Sequence, residues 1–105
     1  MLLSVPYRPG DIVTIKLSTG EEVIGKYESD EKDNSMKVAR PLVLAAGPNG
    51  NIALAPYMFT ADSSAVIFKA QHIICVAPSM KQANYQYIQA TTGIQTVSAG
   101  AIQGV

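Results

Sequence analysis

The chain has 105 residues, 48% of them hydrophobic and 15% charged, which excludes a disordered polypeptide and fits one globular domain with its own core. Eight Lys and Arg offset eight Asp and Glu, so the basic excess typical of a strong, nonspecific nucleic-acid binder is missing. A single cysteine, Cys75, excludes an intramolecular disulfide and a thiolate zinc site, and places the protein by default in a reducing compartment.

The first six residues lack the basic flank of a signal peptide, and Pro6 and Pro9 argue against an N-terminal helix. Pro9-Gly10-Asp11 reads as a turn into a first strand, where Val13, Ile15 and Leu17 alternate with Thr14, Lys16 and Ser18. Ser18-Thr19-Gly20-Glu21 predicts a tight hairpin. Val23, Gly25 and Tyr27 then share one face of a second strand, and the mid-strand Gly25 marks a bulge or sharp bend.

Residues 29–35 are polar and charge-dense, an exposed loop. A third strand is expected over 36–46, a turn at Gly47-Pro48-Asn49-Gly50, and a strand over 52–59 that Pro56 confines to an edge or bulge. After a loop at 60–64, two short strands are expected at 65–69 and 72–76, joined by Ala70-Gln71. Ser79-Met80-Lys81-Gln82 has the pattern of a capping box, with Ser79 as N-cap of a helix over about 80–90. Residues 96–105 are uncharged and rich in small residues, a mobile tail or an assembly contact. The division expected is a β-domain over 1–78 and a helix with tail over 79–105. Short strands, bends and tight turns predict a barrel or sandwich, and the longest apolar run, 42–46, cannot span a bilayer.

Residues 13–27 resemble the first motif of the Sm/LSm/Hfq-like family, with Gly20, Val23 and Gly25 matching in type and spacing. Asp33-Asn34-Ser35-Met36-Lys37 stands where that family has an Asp-x-x-Met-Asn element. Residues 66–78, with their aromatic-Lys start and apolar-Pro end, resemble the second motif in its bacterial Hfq version. The resemblance spans about residues 10–78. It implies an all-β fold, a small, strongly bent, five-stranded open barrel, and a head-to-tail ring of roughly five to seven copies closed by pairing of edge strands. It also implies single-stranded RNA at the pore, and the divergence suits a bacterial or phage protein working in the cytoplasm.

Three positions depart from the family. Ser35 replaces a base-stacking aromatic or histidine, Lys37 replaces the base-reading asparagine, and the basic dipeptide of the second motif becomes Lys69-Ala70, with His72 beyond it. The resemblance places Lys37 and Lys69 at the pore as phosphate contacts, with Ser35, Met36 and His72 beside them. The plainer alternatives are solvated lysines, or Lys37 paired with Asp33. Met36 reads more readily as core, and His72 as a strand-edge residue.

Tyr27 is expected to pack, and Tyr57, Tyr85 and Tyr87 to pack or stack on bases. Cys75 is expected to be an inert buried thiol. The acidic residues Glu28, Asp30, Glu31 and Asp33 lack the order of a calcium loop. No nucleophile elbow, phosphate loop or spaced ligand set occurs, so neither enzyme nor cofactor is expected. Two functions stand: an RNA-binding ring, or a structural ring that meets protein partners and no RNA.

Overall fold

The computed structural model describes residues 6–61 and 64–92. Six strands, β1 (Ile12–Leu17), β2 (Glu22–Asp30), β3 (Met36–Ala46), β4 (Ile52–Pro56), β5 (Ala65–Phe68) and β6 (Ile73–Pro78), are followed by helix α1 (Lys81–Thr91). They form one antiparallel sheet in the order β4-β3-β2-β1-β6, with β5 also on β3. The eleven residues of β3 serve two neighbours: residues 36–39 ladder with β5 and residues 42–46 with β4.

A bulge separates those two ladders. Pairing with β2 moves from Ile24↔Leu42 to Lys26↔Ala39, so β3 carries an extra residue across Arg40 and Pro41. Arg40 takes φ 45° there. Across from the bulge, Gly25 is buried; a Cβ on it would collide with Val38 Cγ1 and stand 3.2 Å from the Ala39 carbonyl oxygen. The bend that the mid-strand glycine signals therefore exists, and the extra residue belongs to the partner strand. The hairpin at residues 18–21 also forms as expected. Gly20 adopts φ 97°, and Leu17 N–H reaches Glu21 O at 2.9 Å.

The sheet curls round a single core. Val13, Ile15, Leu17, Val23, Tyr27, Met36, Val38 and Phe68 form the buried cluster, and Tyr57, Ile73 and Val76 pack against it. Strands from both ends of the sheet thus line one interior, which makes a strongly bent, barrel-like β-fold. Ile24 lies on the other face of β2 and is only 1% exposed.

Helix α1 covers ground that the sequence leaves open. Its Tyr87 is 1% exposed, and its hydroxyl donates to the carbonyl oxygens of Ala39 and Arg40 at the bulge. The capping box does not form. Met80 is the N-cap, with no side-chain cap bond, because Ser79 Oγ bonds Thr14 Oγ1 at 2.7 Å instead.

Cys75 corrects a second expectation, for it is exposed. The β1–β6 register steps from Lys16↔Cys75 to Leu17↔Ile73, which makes Ile74 an extra residue. That bulge lets Ile73 and Val76, three apart, both pack on the core. It leaves Ile74 64% exposed and sets Cys75 opposite the exposed Lys16. Simple alternation cannot foresee such a slip. Among the described residues no helix is long and apolar enough to cross a membrane.

Candidate nucleic-acid interface at the loop end

Two loops meet at one end of the sheet. The first, residues 31–35, closes through Glu31 N–H to Ser35 O at 2.7 Å and Asn34 N–H to Glu31 O at 2.9 Å, with Asn34 at φ 68°. The second is the tight turn Ala70–His72 between β5 and β6. Ser35 joins them: its N–H donates to Asp33 Oδ1 at 3.0 Å, and its Oγ accepts from Ala70 N–H at 3.1 Å. Ser35 is 1% exposed, so it braces the two loops and offers a ligand no surface.

Met36 is 4% exposed and belongs to the core, in register with Phe68. Its packing reading holds, and it presents no contact surface. His72 is exposed. Its Nδ1 lies 3.2 Å from Ser18 Oγ, while its carbonyl oxygen accepts from Ser18 N–H at 2.8 Å. It ties the β5–β6 turn to the β1–β2 hairpin.

Lys37 and Lys69 remain as candidates for ligand contact. Lys37 pairs with Ile67 across β3 and β5, and directly paired residues share a sheet face. Ile67 is 47% exposed and lines a cavity of about 370 Å³ with Lys69, Lys32, Glu31, Asp33 and Ser35. Both lysines therefore border one surface, with an apolar side chain between them.

Each also has a carboxylate nearby. Pairing of β2 with β3 moves from Tyr27↔Val38 to Ser29↔Lys37, which makes Glu28 a bulge residue, and its Oε1 stands 3.9 Å from Lys37 Nζ. The sequence-based pairing of Lys37 with Asp33 is thus replaced by one with Glu28. Asp33 instead feels Lys69. Its carboxyl is held below the usual range, first by the backbone N–H of Ser35 and then by the Ser35 side chain, with Lys69 adding to the effect.

Sequence reasoning missed Glu28 and Ile67 as parts of this surface. Their roles depend on a bulge and a register, and neither leaves a local mark in the sequence. Among the described residues no group of three or more His, Cys, Asp or Glu side chains is placed to hold a metal.

Neither a protein-family model nor a curated protein matches the chain. Solved structures do resemble it. A heptameric archaeal Sm protein aligns at 14% identity and TM-score 0.49 over 69% of this chain and 90% of its own. The SmAP1 heptamer of P. aerophilum aligns at 14% identity and TM-score 0.49 over 69% of this chain and 82% of its own.

Proposed function

We propose that the protein is an Sm-like, ring-forming module that binds short single-stranded RNA at its loop end through Lys37 and Lys69. The observation that carries this reading is the shared surface on which the two lysines flank Ile67, beside loops braced by Ser35. Repeated by ring symmetry, a lysine pair per subunit makes a closed set of phosphate contacts despite zero net charge. The physical motive for the ring is the sheet's two open edges. β4 and β5 ladder only with β3, and β6 only with β1, and Ile67 on β5 and Ile74 on β6 stand exposed. Head-to-tail pairing satisfies those backbone groups and closes roughly five to seven copies.

Binding would be passive. Ser35 stacks no base, so base contact falls to the aliphatic surface of Ile67, and the lysines hold the backbone. The test is light scattering followed by fluorescence anisotropy with labelled oligo(U), oligo(A) and a mixed RNA at low and moderate salt. The expected result is a ring whose saturable, salt-sensitive binding is lost in Lys37→Ala/Lys69→Ala while its mass is unchanged. A monomer in light scattering overturns the ring, and no binding at low salt overturns the RNA reading.

One observation favours a second reading, a structural or protein-binding ring with no RNA role. Glu28 offsets Lys37, and Asp33 lies within electrostatic reach of Lys69. An intact ring that binds no RNA at low salt selects this reading.

A further inference from the structure

Three non-glycine residues among those described adopt positive φ: Asn34, Asn49 and Arg40. Asparagine tolerates that region, since its short side chain bonds locally, whereas arginine has no such compensation. A bulge could be built with glycine or asparagine at lower cost, yet the chain places a long cation there. Three backbone contacts hold it: Arg40 N–H donates to Ser64 O at 2.5 Å, and the Tyr87 hydroxyl reaches Ala39 O at 2.9 Å and Arg40 O at 3.0 Å.

The cation so placed has no carboxylate partner among the described residues, where the one ion pair is Lys37 with Glu28. The group it does engage is the Tyr87 phenol, which its charge and a side-chain hydrogen bond act on. Arg40 borders a cavity of about 320 Å³, whose other polar side chains are Ser64 and Thr91 and whose apolar wall includes Pro41, Pro56 and Met58. At about 30 Å³ per water, that space equals roughly ten waters, which is more than enough room for a small aromatic acid. A mostly apolar cavity with one guanidinium and two hydroxyls has the make-up of a small-ligand site. An arginine fork suits a planar or tetrahedral oxyanion.

We propose that the cavity between the β3 bulge and the C-terminal end of α1 binds a small organic anion, with Arg40 on the carboxylate or phosphate head and Pro41, Pro56 and Met58 against the apolar body. This site goes beyond the RNA reading and does not depend on it. Its residues are separate from Lys37, Lys69 and the loops that carry them.

The test is a titration of the full-length protein with benzoate, phenyl phosphate and the neutral isostere benzamide, read at the Met58 methyl and the Arg40 Nε–H by NMR. The expected result is saturable perturbation of both signals by an anion and not by benzamide, weakened roughly 10- to 100-fold in Arg40→Gln. The benzoate and phenyl phosphate arms tell a carboxylate ligand from a phosphate one. Arg40→Lys keeps the charge without the fork and should fall between wild type and Arg40→Gln. Equal binding of benzamide, or no perturbation by either anion, overturns the proposal.

Discussion

The Tyr87 hydroxyl, on the C-terminal helix, donates to the carbonyl oxygen of Ala39, on the third strand, at 2.9 Å across 48 positions of sequence. The same hydroxyl reaches Arg40 O at 3.0 Å, so one buried side chain fastens the helix to the backbone at the bend of the sheet. Removing the oxygen alone leaves the ring packed and the carbonyls short of a donor. Tyr87→Phe should therefore cost about 1–3 kcal/mol in urea unfolding. Hydrogen exchange should rise first in α1 and around residues 39–41. Uniform loss of protection across the sheet would mean that the contact does not act locally.

Alkaline pH should weaken the fold through its buried phenols. Tyr27 is pushed up to about 12, mainly by burial, then by its hydrogen bond to Asp30 and the charge of Asp30, with Tyr7 adding a smaller push. Tyr7, Tyr57 and Tyr87 are raised as well, each chiefly by burial. A phenol whose folded pKa lies above its unfolded value contributes fully below the unfolded pKa, near 10, and loses that contribution as pH climbs toward the folded one. The urea midpoint should fall steadily between about pH 10 and pH 12. Asp30→Asn, which removes the carboxylate charge beside Tyr27, should make its phenolate appear at lower pH in an ultraviolet titration.

Much of this architecture can be read from residue patterns. Alternation in 13–17 fixes β1, Gly20 fixes the hairpin, and Pro56 ends β4 where β3 leaves it. What sequence hides is register. The extra residues Glu28 and Ile74 and the Arg40–Pro41 step each shift pairing by one. Those shifts decide that Cys75 is exposed, that Lys37 meets Glu28, and that Arg40 takes a left-handed backbone. Ser79 is hidden for another reason. A serine hydroxyl at that position competes between capping the helix and bonding elsewhere, and only the folded sheet brings Thr14 within reach as the partner it takes.

Gly25→Ala tests the close approach of the second and third strands. The new methyl would collide with Val38 Cγ1 and press on the Ala39 carbonyl oxygen at 3.2 Å, where backbone cannot move aside cheaply. Overpacking of this kind costs about 1–3 kcal/mol, seen as a lower urea midpoint with an unchanged slope. Gly25→Ala/Val38→Ala should recover part of the loss, since the larger collision is with a side chain. No recovery would place the whole cost on the backbone contact.

The carboxylates at the loop end should restrain RNA binding if the lysines carry it. Glu28→Gln removes the charge 3.9 Å from Lys37 Nζ. Asp33→Asn removes the one near Lys69 and keeps an oxygen for the Ser35 N–H. Each should raise affinity for a short oligonucleotide by roughly two- to fivefold at low salt, with the gain shrinking as salt rises. The pair should act additively, because the two carboxylates face different lysines. Unchanged affinity in both variants would mean that Lys37 and Lys69 do not contact the phosphates.

Arg40 should show a conflict between stability and binding. A left-handed backbone costs an L-residue about 1–2 kcal/mol, and glycine escapes that cost while adding about 0.5–1 kcal/mol of unfolded-state entropy. Arg40→Gly should therefore equal or exceed the wild type in urea, by up to about 1 kcal/mol, although it removes a side chain. Arg40→Gln keeps the strain without the guanidinium and should be less stable than Arg40→Gly. Both should lose the anion. The order Arg40→Gly above Arg40→Gln in stability, with binding absent in each, assigns the strain to the backbone and the ligand to the guanidinium. The reverse order would mean that the side-chain stem stabilises the bulge by packing, and that the positive φ is not what opposes the fold there.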